Sequence, residues 1–342
     1  MEKDKKEEAE KEDTHPHFVD VNYPKEEPWR TDIYVGPRDG SGSHGHLALS
    51  GAATWYFRDI KGPEIVKNGE VIKKTPVQPE VQMRDIKEFE NRVILGDCIQ
   101  VMKEMPSGKI DLIFADPPYN IGIKYDNHND RMRYEEYILW CREWLKECVR
   151  LLSDNGSIYI AINDEHAAEI VMILKSLGLT MRNWIIWHYT FGQSQRKKFS
   201  RGHTHILYFT KNRENFIFNS DDIRVKSIRQ EIGDKRANPK GKLPDDVWEN
   251  GISEEDSIWK ISRVAGTFKE RIKGFPAQMP VKLLERVIRT SSNKESIVFD
   301  PFSGSGTTPY VAKKLGRTFI ATEISPKYHK ISESRVKSIL NV

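Results

Sequence analysis

The chain is poor in cysteine: three among 342 residues, Cys98, Cys141 and Cys148, none in Cys-x-x-Cys spacing. So sparse and odd-numbered a set builds no disulfide frame and no cysteine zinc site, and it implies reduced thiols in a cytoplasmic setting. Long apolar runs are missing too; no stretch approaches the roughly 18 residues that would span a membrane. The N-terminus is charged instead of apolar, so no secretory signal peptide is expected. Neither sign of charge dominates, with 54 Lys and Arg against 50 Asp and Glu. With 38% hydrophobic and 30% charged residues, the composition excludes collagen-like, coiled-coil and fully disordered chains and leaves a sizeable core to bury.

The charge is unevenly spread. Residues 1–13 carry seven acids and four lysines, the composition of a solvated, disordered tail. Residues 14–79 are rich in Pro, Gly, Tyr and Trp, with turn signals at Pro37-Arg38-Asp39-Gly40 and Asn68-Gly69, and read as a small β-rich module of unassigned role. His15, His17, His44 and His46 lie there without supporting cysteines or acids, so no metal is assigned. Within 190–260 the sign reverses: seven bases face two acids between Arg224 and Lys242, interleaved upstream with Phe191, Phe199 and Phe216.

From Asn91 the texture becomes that of alternating strands and helices. Arg92–Asp97 reads as a strand ending in a turn, Ile99–Met105 as a short helix, and Ile110–Ala115 as a strongly apolar strand. Tyr134–Leu152 has helical spacing of Tyr137, Leu139, Trp140, Trp144, Leu145, Val149 and Leu152. Asp154-Asn155-Gly156 is expected to turn into a strand at Ser157–Ile162, followed by a helix over Glu165–Leu177 and strands at Trp184–Trp187 and Ile206–Phe209. After the basic stretch come helix Val281–Arg289, strand Ser296–Asp300, helix Thr307–Leu315 and strand Arg317–Glu323. Continuous apolar strands alternating with helices predict a doubly wound, mostly parallel α/β sheet over residues 91–342, with 190–260 inserted.

Two strand ends carry chemistry. Asp116-Pro117-Pro118-Tyr119 directly follows the apolar strand, where α/β sheets bind ligands. The prolines fix φ and supply no N–H. A carboxylate and a free carbonyl there can accept both hydrogens of an exocyclic amine, while Tyr119 can stack on a flat heterocycle. The plain alternative is a strand-to-loop turn with a capping Asp. The second segment, Asp300-Pro301-Phe302-Ser303-Gly304-Ser305-Gly306-Thr307-Thr308, also joins a strand to a helix. Position 309 is proline, so the third glycine of the dinucleotide fingerprint is missing. Glu323, at the end of the next strand, can accept from ribose hydroxyls. A nucleoside cofactor suits this set better than a nicotinamide dinucleotide.

These two segments, in this order, resemble those of the S-adenosylmethionine-dependent amino-group DNA methyltransferases, in the β arrangement whose catalytic motif precedes the cofactor motif. The likeness spans about Arg92 to Ile339 and includes Leu95-Gly96-Asp97-Cys98, Gly156-Ser157-Ile158-Tyr159, Trp187, Ser262-Arg263-Val264, Lys269-Glu270-Arg271, Gln278-Met279-Pro280 and Leu315-Gly316-Arg317. Members commonly carry lysine where Met279 stands.

The resemblance implies a Rossmann-like methyltransferase fold with permuted motif order, and a site built from both segments. Asp116 and the Pro117 carbonyl would hold the target amine of adenine, and Tyr119 would stack on the extruded base. Asp97 and Cys98 would lie at the cofactor's adenine, with Asp300, Phe302, Gly304, Gly306, Thr307 and Glu323 completing its pocket. Trp187 would pack beside the flipped base. Arg196, Lys197, Lys198 and Arg201 are the expected phosphate contacts on double-stranded DNA, and Arg229, Gln230, Lys235 and Arg236 follow. The resemblance leaves room for a homodimer and a cognate restriction endonuclease. Asp116 favours adenine N6; cytosine N4, structured RNA and a catalytically idle DNA-binding module stay open.

Overall fold

The computed structural model describes residues 66–67, 70–71, 82–123, 125–126, 130–193, 196–248, 261–264 and 266–339. The expected charged tail lies outside the described residues. So does the module at 14–79, apart from Val66–Lys67, which pairs antiparallel with Glu70–Val71 on either side of the Asn68-Gly69 signal.

One eight-stranded sheet organises the rest: β1 (Arg92–Leu95), β2 (Ile110–Ala115), β3 (Leu152–Ile162), β4 (Thr180–Gln193), β5 (Arg201–Thr210), β6 (Val247–Trp248), β7 (Ile297–Asp300) and β8 (Thr318–Glu323). Their spatial order is β1-β8-β7-β2-β3-β5-β4-β6. From β1 to β3 all neighbours are parallel, while β5 runs antiparallel to both β3 and β4. The helices are α1 (Cys98–Glu104), α2 (Tyr134–Leu151), α3 (Ala167–Ser176), the single turn α4 (Ile228–Glu231), α5 (Val281–Ser291), α6 (Thr307–Lys314) and α7 (Pro326–Lys337).

The two-residue period of the strands sorts their side chains into two cores. Ile113 and Ala115 of β2, with Ile158, Ile160 and Ile162 of β3, face the core that takes Trp144 and Leu145 of α2 and Leu174 of α3. Leu112 and Phe114, with Tyr159 and Ala161, face the opposite core against Leu284 and Ile288 of α5 and Val311 of α6. A strand apolar on both faces is what a sheet covered by helices on both sides requires. Of the spacing read for α2, Tyr137, Trp144 and Leu145 are buried, Trp140 and Val149 are partly buried and Leu139 is exposed, while Cys141, Cys148 and Leu151 complete the buried stripe.

Three expectations change. Asp154-Asn155-Gly156 is no free turn: β3 begins at Leu152 opposite Ile110, and the three residues fall at a register shift within the ladder. The strands read at Trp184–Trp187 and Ile206–Phe209 are the middles of a long hairpin, β4–β5, so the start of 190–260 belongs to the sheet. Helix α7 was not expected; Ser325 caps it by accepting from the Tyr328 N–H at 3.3 Å, and Pro326 occupies its first turn. No helix among the described residues is long and apolar enough to cross a membrane.

Candidate active site

Strands β2 and β7 are hydrogen-bonded neighbours, Leu112 opposite Val298 and Ile113 opposite Phe299. The chain reaches β2 early and β7 nearly two hundred residues later, and order runs outward from this pair in both directions. Such a reversal opens a crevice at the carboxyl ends of the strands. Asp116 and Asp300 stand at those two ends.

The Asp116 turn is held from several sides. Tyr119 Oη donates to Asp116 Oδ1 at 2.7 Å, and the Pro118 carbonyl accepts from Tyr137 Oη of α2 at 2.8 Å. Asn120, at φ 58°, clasps Met132 in both directions, donating to its carbonyl at 3.1 Å and accepting its N–H at 2.7 Å. The Asp130 carboxylate accepts the N–H groups of Asn120 and Ile121 at 2.7 and 3.2 Å. Desolvation pushes the Asp116 carboxyl up to about 7; the Tyr119 hydrogen bond opposes that shift and the nearby Asp300 charge adds to it.

Across the crevice, burial pushes Asp300 up to about 7 as well, against hydrogen bonds from Thr308 and from the Phe302 N–H at 2.9 Å. The Phe302 ring packs 5.6 Å from Trp140 and 5.2 Å from Trp144, edge on. Gly304 has φ 51°, and a Cβ there would sit 2.6 Å from the Phe275 ring. Its N–H donates to Glu323 Oε2 at 2.8 Å, while the Ser325 N–H meets Oε1 at 2.8 Å. Burial raises the Glu323 carboxyl, partly offset by these amides. The Gly96 N–H reaches the Glu323 carbonyl at 2.9 Å, which brings Asp97 to the same wall; Asp97 Oδ1 caps α1 through the Gln100 N–H at 3.1 Å.

Both turns line one cavity of about 560 Å³, the size range of a small-molecule site. Of the expected residues, Asp116, Pro117, Tyr119, Asp97, Cys98, Asp300, Phe302, Gly304, Thr307, Glu323, Trp187 and Arg201 border it. Gly306 does not. At φ 75° it starts α6 against α7, where a Cβ would meet Ser332 Oγ at 2.5 Å, so close helix packing explains this glycine. Cys98 is a buried thiol with its ionisation pushed far up by desolvation. Met279 stands at the wall where the resemblance expects lysine, and its carbonyl accepts from Thr307 Oγ1 at 3.0 Å. Tyr125, Asn163, Tyr189, Phe275, Gln278 and Tyr328 also line the cavity and were missed. They come from separate segments with no motif; only Gln278 lay in a quoted stretch. No cluster of His, Cys, Asp and Glu fit to hold a metal ion occurs among the described residues.

The expected DNA contacts divide. Arg196, Lys197 and Lys198 are exposed beyond the end of β4, beside a fully exposed Phe199, with Lys198 also 3.7 Å from Glu165 in a solvent-facing ion pair. Arg201 is instead ion-paired to Asp164 at 2.7 Å and Glu165 at 3.0 Å, with 17% of its side chain exposed. Gln230 is committed too: Oε1 accepts the Ser227 N–H at 2.9 Å and Nε2 donates to the Pro239 carbonyl at 3.0 Å. Arg236 pairs with Asp234 at 2.9 Å on an exposed surface, and Arg229 is exposed. Trp187 is buried and donates from Nε1 to the Ile261 carbonyl at 2.8 Å, with its ring 5.3 Å from Tyr189.

The model of the DNA methylase family, N6 and N4 methyltransferases, matches residues 110–334. The chain belongs to this family, whose members methylate amino nitrogens of DNA bases with S-adenosylmethionine. Among curated relatives, it is 37% identical over 256 residues to the type II methyltransferase M.HpaI of Haemophilus parainfluenzae, covering 74% of this chain and 76% of that protein. It is 35% identical over 248 residues to the DNA adenine methyltransferase YhdJ of Escherichia coli, covering 71% of this chain and 82% of that one. Among solved structures, the PvuII cytosine-N4-specific DNA methyltransferase superposes with a TM-score of 0.53 at 18% identity, over 71% of this chain and 85% of that one, a likeness of fold.

Proposed function

We propose that this protein is a site-specific methyltransferase that modifies adenine N6 in double-stranded DNA, with S-adenosylmethionine as methyl donor and the target base turned out of the helix. The observation that supports it best is the meeting of the Asp116–Tyr119 and Asp300–Thr307 turns on one cavity, at neighbouring strand ends.

The residues present fit the cofactor. A glycine turn with its amide pinned by Glu323, an aromatic wall at Phe302, and the Asp97 and Glu323 carboxylates would hold a nucleoside. When bound, S-adenosylmethionine supplies a methyl carbon made electrophilic by the sulfonium. The lone pair of adenine N6 is conjugated into the ring, so the amine needs help to become a nucleophile. Asp116, ionised, would accept one N–H and the Pro117 carbonyl the other, which favours the pyramidal amine. A carboxyl raised to about 7 is also matched to taking up the proton that the methylated amine must shed near neutral pH. Tyr119 would stack on the base. Positioning and electrostatics supply the acceleration, without a covalent enzyme intermediate.

Aspartate at position 116 supports adenine over cytosine. The exposed Arg196–Lys198 stretch, with the basic excess between Arg224 and Lys242, supports DNA contact. Type II relatives support a cytoplasmic role in modification beside a restriction endonuclease.

The test is to express the protein in a host lacking DNA methylation, map modified bases by single-molecule sequencing and identify them by mass spectrometry. N6-methyladenine at one short recurring sequence is expected. N4-methylcytosine would replace the adenine assignment, and unmodified DNA from a well-folded, cofactor-binding protein would remove the enzymatic reading.

A further inference from the structure

Asn163 follows directly on β3, the strand beside the one that leads into Asp116. It borders the cavity, is 3% exposed, and neither Oδ1 nor Nδ2 has a hydrogen-bond partner among the described residues. A buried amide idle at both ends is rare, because desolvation without compensation is unfavourable. The other carboxamide of the cavity wall shows the contrast: Gln278 accepts the Ile272 N–H at 2.8 Å and donates to the Glu270 carbonyl at 2.7 Å.

The surroundings hold Asn163 in place. Arg201 pairs with Asp164 and Glu165, the next two residues. The His166 ring then packs 4.6 Å from Tyr137, whose hydroxyl holds the Pro118 carbonyl of the catalytic turn. A segment tied at these points has little freedom to turn the amide toward solvent. Its partner must arrive with a ligand.

We propose that Asn163 is a base-reading residue whose Nδ2 donates to the ring nitrogen next to the target amine, N1 of adenine. This rests on the proposed function: with Asp116 and the Pro117 carbonyl taking the two amine hydrogens, N1 is the unmatched acceptor on the same edge of an extruded adenine. Cytosine offers an acceptor, N3, at the same place. Guanine and thymine carry an N–H there and also a carbonyl in place of the amine, so Asp116 and the Pro117 carbonyl turn them away even where the amide of Asn163 presents Oδ1. Asn163 therefore completes the reading of an amino group beside an unprotonated ring nitrogen, leaving the choice of purine or pyrimidine to the rest of the wall.

The experiment uses the full-length protein and duplexes bearing its mapped sequence, with adenine or 1-deazaadenine at the target. Product identity with the parent protein on adenine tests the proposed function separately. Asn163→Ala should lower kcat/KM on adenine roughly 10- to 100-fold while sinefungin affinity stays within about twofold. On 1-deazaadenine, which lacks N1, the parent and the variant should be equally slow. Asn163→Leu, close in shape and without a donor, should reproduce the loss on adenine. Unchanged turnover of Asn163→Ala, an equal loss on both bases, or a matching fall in sinefungin affinity would each overturn the assignment.

Discussion

Tyr119 donates its hydroxyl hydrogen to Asp116 Oδ1 across 2.7 Å, which ties the stacking ring and the acceptor carboxylate of one turn into a single unit. That bond favours the ionised carboxylate against burial and the Asp300 charge, and the balance lies at about 7. Removing the hydroxyl leaves only the raising influences. The acid limb of log kcat/KM against pH, expected near pH 7 in the parent, should move to higher pH in Tyr119→Phe, with a smaller loss at pH 8.5 than at pH 6.5. A pH profile of the two proteins on one substrate checks it; identical limbs would contradict the coupling.

Asp116→Asn should abolish transfer and yet stabilise the protein above neutral pH. Burial holds the folded carboxyl above its unfolded value, so the neutral form is favoured. The stability contribution is therefore complete below about pH 4 and lost as pH rises through about 7. Asparagine escapes that loss. The difference in unfolding free energy between variant and parent should grow from near zero at pH 4.5 to roughly 1–3 kcal/mol at pH 8.5, read by chemical denaturation without cofactor.

Glu323 spans two amides, those of Gly304 and Ser325, so its removal loosens the glycine turn as well as taking away a ribose acceptor. Glu323→Ala should weaken sinefungin binding by about 10- to 100-fold in calorimetry, from one or two lost charge-assisted hydrogen bonds. Glu323→Gln, which keeps an acceptor for one amide, should fall between.

Lys197 and Lys198 should act on DNA through charge alone. Replacing both with alanine should reduce the slope of log affinity against log salt by about 2. Arg201, held by Asp164 and Glu165, should behave differently: Arg201→Ala should lower kcat/KM while leaving that slope nearly unchanged. Filter binding or fluorescence anisotropy across a salt series separates the two.

The parallel half of the fold was legible because its strands are buried on both faces. Ile110–Ala115 is apolar at every position but one, and its predicted bounds are those observed. The hairpin β4–β5 was read only at its middles, because polar residues such as Arg182, Asn183 and His188 interrupt the apolar pattern of a half-covered strand. The two chemical turns were visible as motifs, and adjacent strands carry them to one cavity. The partners of Arg201 and Gln230, Glu165 and Pro239, were not readable for a different reason: they are set by chain folding and leave no local trace. Asn163 was invisible since an asparagine after a strand usually means a cap or turn. Ser325-Pro326 was a readable helix start that was overlooked.

The His329 ring nitrogen Nε2 lies 2.9 Å from the Val93 carbonyl, so the last helix rests on the first strand of the methylase fold. A circular permutant is therefore conceivable in which residue 339 is linked to residue 82 and the chain is reopened between 248 and 261. It would place the glycine turn ahead of Asp-Pro-Pro-Tyr while every strand kept its neighbours. Gene order would be inverted and the chemistry left alone, because ribosomes read a line whereas catalysis depends only on adjacency in space.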